Sequence, residues 1–382
     1  MHEGPVVVFS GGGTGGHLYP ALAVADALRA RRPDVRVLFM GSRRGIEGRI
    51  LTERGEWHIL LPVRGIDRSN PLRSLSGIGG FVASIARSVR LFAELRPEVV
   101  VVTGGYASAP AGIAAALTGV PVVLQEQNAV PGLVTKALSR VARLIHVAYP
   151  EAIDRLPVGL DRVRVTGNPV RPAAQLDRAR ARERMGVPER ATVLLVVGGS
   201  QGSLALNEAL TDAIRAAALD PALRPRDLHA VWATGPAHHD GISVELEALG
   251  TAVDWVHAIP YIEDMPVALA CADLALARAG ATFTAELLVH GLPAILVPLP
   301  SAAEDHQRRN AEALASADAA VMIPQDELDA ATLWRAVNRL VDGSDRLARM
   351  GAAAHALARP HAADDIAGTL VDMLTPGPEA VA

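Results

Sequence analysis

The 382 residues are two to three times the length of a typical single domain, so two domains are expected. Half of the residues are apolar and 20% are charged, which excludes intrinsic disorder; the single cysteine, Cys271, excludes a disulfide scaffold and a cysteine-ligated zinc site. The net charge of −4 is unevenly spread. Residues 1–165 carry 20 Lys and Arg against 13 Asp and Glu, while residues 166–382 carry 17 against 28, so the first half suits an anionic partner. No uncharged apolar stretch of ~18 residues occurs and the first residues lack a signal-peptide layout, which reads as a cytosolic chain without a membrane span.

Short β-branched runs alternate with Ala- and Leu-rich stretches of helical period, the pattern of parallel α/β folding. In chain order the first half offers strands at Val6–Phe9, Val35–Met40, Trp57–Leu61, Val99–Val102, Val122–Leu124 and Leu144–Val147. Helices are predicted between them near 17–31, 45–54, 74–95, 108–118 and 131–141. A join near Val163–Pro172 follows, where Gly167, Asn168, Pro169 and Pro172 break regular structure. The second half repeats the rhythm with strands at Val193–Val197, Ala230–Ala233, Ala252–Val256, Leu274–Leu276, Ala294–Val297 and Ala320–Ile323. Its helices are predicted near 203–218, 242–249, 264–270, 282–290, 303–317, 326–342 and 344–358, with a last one near 362–374. About six strands per half predict two doubly wound domains facing across a cleft, with ligands at the carboxyl ends of the strands.

Each half opens with a glycine loop between its first strand and first helix. The first runs Ser10-Gly11-Gly12-Gly13-Thr14-Gly15-Gly16-His17 and satisfies G-x-G-x-x-G through Gly11, Gly13 and Gly16. A dinucleotide site also wants an acid at the end of the second strand, and that strand ends Met40-Gly41-Ser42. A P-loop is excluded because His17 stands where its lysine belongs. The second loop, Gly198-Gly199-Ser200-Gln201-Gly202-Ser203, offers backbone N–H groups, a hydroxyl and a helix dipole suited to a phosphate. A glycine-rich turn that binds nothing is the plain alternative for either loop.

Further polar loops follow predicted strands: Thr103–Ser108, Gln125–Asn128, Gly167–Arg171 and Arg278–Glu286. Together with GGTGGH at 12–17, GGY at 104–106, EQN at 126–128, GNPVR at 167–171, GGSQG at 198–202, YIEDM at 261–265, RAGATFTAE at 278–286 and DHQRRNA at 305–311, the chain resembles the MurG family of peptidoglycan glycosyltransferases. These motifs run in order over about 300 residues, and the combination is far more specific than any member. The family often carries His before the EQN triplet, where this chain has Gln125.

The resemblance implies a GT-B fold, two Rossmann-like domains around a cleft. It implies an inverting hexosyltransferase that moves N-acetylglucosamine from UDP-GlcNAc to the 4-OH of undecaprenyl-pyrophosphoryl-MurNAc-pentapeptide. An acceptor and membrane-binding domain is expected over 1–165, a UDP-GlcNAc-binding domain over 166–358, and a helix and tail over 359–382 that can pack back on the first domain. Another GT-B glycosyltransferase or a UDP-sugar epimerase shares the fold, and a dinucleotide-binding oxidoreductase is the alternative from the first loop alone.

Inverting transfer needs a base for the acceptor hydroxyl and a stabiliser for the departing UDP. No D-x-D motif occurs, so no metal is expected, and the Gly198–Gly202 loop with Ser200 and Arg278 is the candidate diphosphate site; neither a cofactor nor a nucleic-acid partner is expected. By resemblance, Arg171 lies near the nucleotide, the backbone of Ile262 reads uracil, and Glu286 accepts from the ribose hydroxyls. Asn128, Ala281 through its backbone, and Gln307 are candidate sugar contacts. Thr282, Phe283, Thr284 and Ala285 complete the donor loop, and Thr14, Gly15 and Gly16 the first glycine loop. His17 at a helix N-terminus is the candidate base and Glu126 its rival.

The stretch Pro71–Arg96 places Leu75, Ile78, Phe81, Val82, Ile85, Val89 and Phe92 at helical spacing, with Arg73, Arg87 and Arg90 nearby. Lys136, Arg140 and Arg143 follow a second helix. An anionic membrane surface is therefore an expected partner, bound peripherally on the cytoplasmic face, and cell-wall synthesis proteins are candidate partners.

Overall fold

The computed structural model describes residues 4–43, 45–63, 71–170, 176–302, 305–343 and 345–376, with the backbone alone over 71–78. The chain divides into two compact units, Met1–Val170 together with Arg359–Ala382, and Arg171–Ala358. Both are built on parallel sheets.

The first unit alternates β1 (Val6–Gly11), α1 (Gly15–Arg31), β2 (Arg36–Ser42), α2 (Glu47–Glu53), β3 (His58–Leu61) and α3 (Pro71–Leu95). It continues with β4 (Val99–Gly104), α4 (Ala109–Thr118), β5 (Val122–Glu126), α5 (Leu133–Leu138), β6 (Leu144–Val147) and β7 (Val163–Val165). The strand order is β3-β2-β1-β4-β5-β6-β7, so the chain starts near the middle, winds to one edge and then to the other. β1 and β4 are buried along their whole length, because helices cover both faces and near-continuous Val runs satisfy both. The order reverses between β1 and β4, and the loops after those two strands carry GGTGGH and GGY. β7 was not expected. Its three residues lie within the predicted join, and it is an edge strand paired to β6 through Ile145 and Val163.

The second unit begins with α6 (Arg178–Arg184), which the sequence pattern missed. It continues as β8 (Thr192–Val197), α7 (Leu204–Leu219), β9 (Leu228–Ala233), α8 (His239–Leu249), β10 (Val256–Ile259), α9 (Met265–Cys271) and β11 (Leu274–Ala277). Then follow α10 (Ala281–Val289), β12 (Ala294–Leu296), α11 (His306–Ser316), β13 (Ala320–Met322), α12 (Ala330–Val341) and α13 (Arg346–Leu357). The order β10-β9-β8-β11-β12-β13 reverses between β8 and β11, the same kind of switch point. The strand expected at Ala252–Val256 starts instead at Val256, after a 3₁₀ turn over Gly250–Val253. α6 is held by charge: Arg182 is buried and reaches Asp273 at 2.7 Å, and Arg178 meets the same carboxylate at 2.7 Å.

The chain then returns to the first unit as α14 (Ala362–Val371). Ile366, Ala367 and Leu370 are fully buried in the cluster that includes Leu18, Leu22 and Ala25 of α1. His146 on β6 is also buried, and its Nε2 meets Thr369 Oγ1 of α14 at 3.1 Å.

Part of the Pro71–Arg96 stripe was expected to be core, and α3 shows which part among the described residues. Phe92 is buried in the core cluster, and Phe81, Val89 and Leu91 pack against it. Buried Ser84 and Ser88 return their hydroxyls to the helix carbonyls of Gly80 and Ser84. Val82 alone of the large apolar residues described in that stripe is well exposed, while the side chains of Arg73, Leu75 and Ile78 lie outside those described.

Candidate functional site

In the first unit three loops interlock above the switch point. His17 sits in the first turn of α1, whose N-cap is Thr14. Its ring lies against the backbone of Gly104 and Gly105, both at positive φ (92° and 76°). A Cβ on Gly104 would stand 3.0 Å from His17 Nδ1, and one on Gly105 would stand 2.9 Å from its Cδ2. The two glycines of GGY thus make the seat for the histidine of GGTGGH. Thr103 Oγ1 donates to the His17 carbonyl at 2.7 Å and locks the other side.

The Nδ1 atom of His17 faces two oxygens, Thr103 O at 3.0 Å and Gln127 Oε1 at 2.9 Å. Acceptors on that side require a proton on Nδ1, which leaves the lone pair on Nε2.

Glu126, the rival base, is 3% exposed and already holds four donors. Its Oε1 accepts from the Asn128 N–H (3.0 Å) and Nδ2 (3.1 Å), and its Oε2 from the Gly132 N–H (3.0 Å) and Thr135 Oγ1 (2.6 Å). A carboxylate has about four acceptor positions, so this one organises the EQN loop and the start of α5. Asn128 is positioned by it.

The sequence reading missed Glu47. This residue opens α2, is fully buried, and pushes its carboxylate into the first glycine loop. Oε1 accepts from the Gly13 N–H at 2.6 Å and the Ser42 N–H at 3.2 Å, and Oε2 has no hydrogen-bond partner among the described residues. A Cβ on Gly12 or Gly45 would overlap the carboxylate at 1.7 Å, which gives both glycines a reason to be there. Thr14 and Gly16 are exposed, and Gly15 begins α1.

The second unit presents the other glycine loop. Gly199 and Gly202 adopt positive φ (100° and 77°), and Gly202 packs against the backbone of Thr234 and Gly235. Ser203 caps α7, Ser200 is exposed, and no carboxylate among the described residues accepts from a backbone N–H of 198–203. Asn207 steadies the loop from below, donating to the Thr234 carbonyl at 2.8 Å and accepting from the Trp232 indole at 3.2 Å.

Arg278, expected at a diphosphate, is turned inward. Nε donates to Ser203 Oγ at 3.0 Å, Nη1 to the carbonyls of Val297 and Pro298 at 3.2 Å each, and Nη2 to Gln325 Oε1 at 2.7 Å. Burial holds its pKa below the usual arginine value. It braces the glycine loop against the ends of β12 and β13, because a cation buried this far must spend its donors on fixed acceptors.

α10 carries the remaining donor candidates. Ala281 and Thr284 are buried, Thr282, Phe283 and Ala285 are partly exposed, and Glu286 is 6% exposed in the second turn. Thr284 Oγ1 returns to the Ala281 and Gly280 carbonyls at 3.0 and 3.2 Å. Gln307, in the first turn of α11, accepts from the Leu299 N–H through Oε1 at 3.0 Å. The Ile262 side chain is buried. Arg171 lies outside the described residues.

Two parallel-sheet units with glycine loops at their switch points are the frame of a nucleotide-sugar glycosyltransferase. Two family descriptions match in series: the glycosyltransferase family 28 N-terminal domain over residues 7–147 and its C-terminal domain over 193–366. A relative from Salinibacter ruber, the UDP-N-acetylglucosamine–N-acetylmuramyl-(pentapeptide) pyrophosphoryl-undecaprenol N-acetylglucosamine transferase, is 42% identical over 364 residues, 95% of each chain. The crystal structure of Acinetobacter baumannii MurG covers 96% of this chain and 99% of its own, with a TM-score of 0.73 and 28% identity. A UDP-N-acetylglucosamine 2-epimerase, at 16% identity and a TM-score of 0.66 with 97% and 96% covered, shares the fold alone. The chain belongs to the MurG family of glycosyltransferases, the N-acetylglucosamine transferases of peptidoglycan synthesis.

Proposed function

We propose that the chain transfers N-acetylglucosamine from UDP-GlcNAc to the 4-OH of undecaprenyl-pyrophosphoryl-MurNAc-pentapeptide with inversion, and that His17 is the base. The acceptor oxygen forms a bond to C1 of the sugar, the bond from C1 to the β-phosphate oxygen breaks, and the acceptor proton moves to His17 Nε2. The observation that carries this reading is the placement of His17 Nδ1 against Thr103 O and Gln127 Oε1, which leaves Nε2 as the proton acceptor. Glu126 has no such capacity, since its oxygens hold four internal donors. Departing UDP takes the bonding electrons, and the second glycine loop with the N-terminus of α7 receives its negative charge.

In this reading Ser200 and the loop backbone hold the diphosphate and Arg278 keeps that loop in shape. Glu286 accepts from the ribose hydroxyls, the Ile262 backbone reads the base, and Arg171 approaches the nucleotide. The Ala281 backbone, Asn128 and Gln307 bind the sugar. For Gln307 the free half of the amide is Nε2, because Oε1 is engaged by Leu299. Radiolabelled UDP-GlcNAc with the lipid-linked muramyl-pentapeptide tests the whole: transfer with inversion is expected, and a folded chain that releases labelled sugar only to water would refute it.

The membrane side of the proposal rests on exposed apolar and basic residues of the first unit. Val82, Leu133 and Val141 are 57%, 62% and 54% exposed, and Arg87, Arg90, Arg140 and Arg143 are exposed near them in sequence. No helix among the described residues is long and apolar enough to cross a membrane. Peripheral docking on anionic lipid of the cytoplasmic leaflet suits such a surface, with each basic residue contributing about 1 kcal/mol. The variant Leu133→Glu with Val141→Glu should float less with anionic vesicles while binding UDP-GlcNAc normally. Unchanged flotation would place the contact elsewhere.

A further inference from the structure

His17 is the visible end of a buried chain of amides. Gln127 Oε1 faces its Nδ1, and Gln127 Nε2 donates to Thr103 O at 2.6 Å, to Gln125 O at 3.2 Å and to Gln125 Oε1. Gln125 Nε2 donates onward to Asn168 Oδ1 at 3.1 Å, and Asn168 Nδ2 donates to the Gln127 carbonyl at 3.2 Å. All three side chains are at least 96% buried.

Side-chain amides can be turned end for end, but this chain cannot. Backbone carbonyls at fixed positions, Thr103 O and Gln125 O, demand that Gln127 present its NH₂ to them. Its oxygen then has one direction left, toward His17. The same NH₂ meets Gln125 Oε1, which turns the Gln125 NH₂ toward Asn168. Asn168 must therefore accept from Gln125 and give its own NH₂ to a third backbone oxygen, that of Gln127. Reversing Gln127 would set its oxygen against Thr103 O, Gln125 O and Gln125 Oε1, and reversing Gln125 or Asn168 would set one oxygen against oxygen and one NH₂ against NH₂, all in a buried site. The polarity of the chain is thus set by main-chain atoms and delivered to the imidazole.

We propose that Gln127 is a positioning residue for the transfer reaction, holding His17 as the Nδ1–H tautomer with Nε2 unprotonated, and that Gln125 and Asn168 keep Gln127 in the one orientation that can do so. Its consequence for catalysis rests on the assignment of His17 as base; its consequence for the tautomer does not. A neutral acceptor on Nδ1 orients the ring, and the Gly104–Gly105 seat limits its rotation.

The test uses the full chain labelled with ¹⁵N-histidine, with the His17 signals assigned by loss in His17→Gln. Wild type is expected to show a protonated Nδ1 and an unprotonated Nε2 at neutral pH. Gln127→Met, similar in size but without an acceptor, leaves Thr103 O as the one oxygen facing Nδ1, and should raise the share of the Nε2–H tautomer and lower kcat about 10–100-fold with KM for UDP-GlcNAc unchanged. Nε2–H in wild type, which requires no variant to fold, overturns the proposal, as does a Gln127→Met protein with wild-type tautomer and kcat. A correct tautomer that Gln127 controls, in a chain whose His17→Ala variant keeps full kcat, would uphold the amide chain and remove the base assignment.

Discussion

The two glycine loops occupy equivalent places, each between the first strand and the next helix at the reversal of a parallel sheet, yet their interiors are opposite in character. In the first, Glu47 takes up the Gly13 and Ser42 N–H groups, so the loop already contains an anion. In the second, no carboxylate among the described residues accepts from the loop, and a buried arginine supports it from behind. Two similar strings of glycine therefore serve different ends. The first holds an imidazole in place; the second, in the proposed reaction, receives a phosphate. A glycine loop binds anions only if the fold has not filled it with one.

His17→Ala is the most severe test of the first loop, with kcat expected to fall by a factor on the order of 10²–10⁴ while UDP-GlcNAc affinity stays near normal. Steady-state kinetics with the lipid acceptor and calorimetry with the donor separate the two. Glu286→Ala strikes the second unit instead. Losing charge-assisted hydrogen bonds to ribose should weaken UDP-GlcNAc by about 1.5–3 kcal/mol per bond at most, less where water substitutes. Unaltered donor affinity in a folded variant would take Glu286 out of the nucleotide site.

Glu47→Ala asks whether the internal anion shapes its loop. It leaves the buried Ser42 N–H and the partly buried Gly13 N–H without their acceptor, so urea unfolding should show a loss of about 1–3 kcal/mol, with Glu47→Gln losing less. Making the second loop resemble the first is a sharper comparison. Ser200→Glu should weaken UDP about tenfold by setting a charge beside the α7 N-terminus, and do so less at high salt.

The smallest effect at neutral pH concerns His146. Burial pushes its pKa down to about 4, with the charge of Arg164 adding to the shift. The folded state resists a proton that the unfolded chain takes up near pH 6.5, so this contribution is fully present above about pH 6.5 and fades as pH falls toward 4. The difference amounts to about 3 kcal/mol at most. His146→Gln should flatten that part of the stability profile, measured by urea unfolding between pH 7 and pH 4; equal slopes in both proteins would contradict it.

Much of this was legible from the residues alone. Val-rich runs bounded by glycine announced β1, β4 and β8, and the loops after them followed from topology. α6 was not legible because Arg178–Arg184, with four arginines in seven residues, has no apolar period; its anchorage is an ion pair to Asp273, 91 positions from Arg182. Glu47 escaped for a related reason. An acid opening a short helix looks like ordinary capping, and only the fold brings it to Gly13, 34 positions away. Arg278 follows β11 as expected, but its hydrogen bonds to Ser203, Val297, Pro298 and Gln325 were not legible, since a sequence does not say whether a cation at a strand end faces a ligand or the carbonyls behind it. The amide chain links residues 17, 103, 125, 127 and 168, which the sheet register alone assembles.

Because α14 closes over α1 only after Arg171–Ala358 has intervened, the first unit is discontinuous in the order in which a ribosome makes it. Leu18, Leu22 and Ala25 must wait for Ile366, Ala367 and Leu370 while nearly two hundred residues are added. The second unit needs nothing from elsewhere in the chain to finish its sheet and can fold as it emerges. Vectorial synthesis thus leaves the helix that carries His17 as the last to be covered, and a nascent chain cut short of residue 359 would expose an apolar groove along α1 for a chaperone to shield.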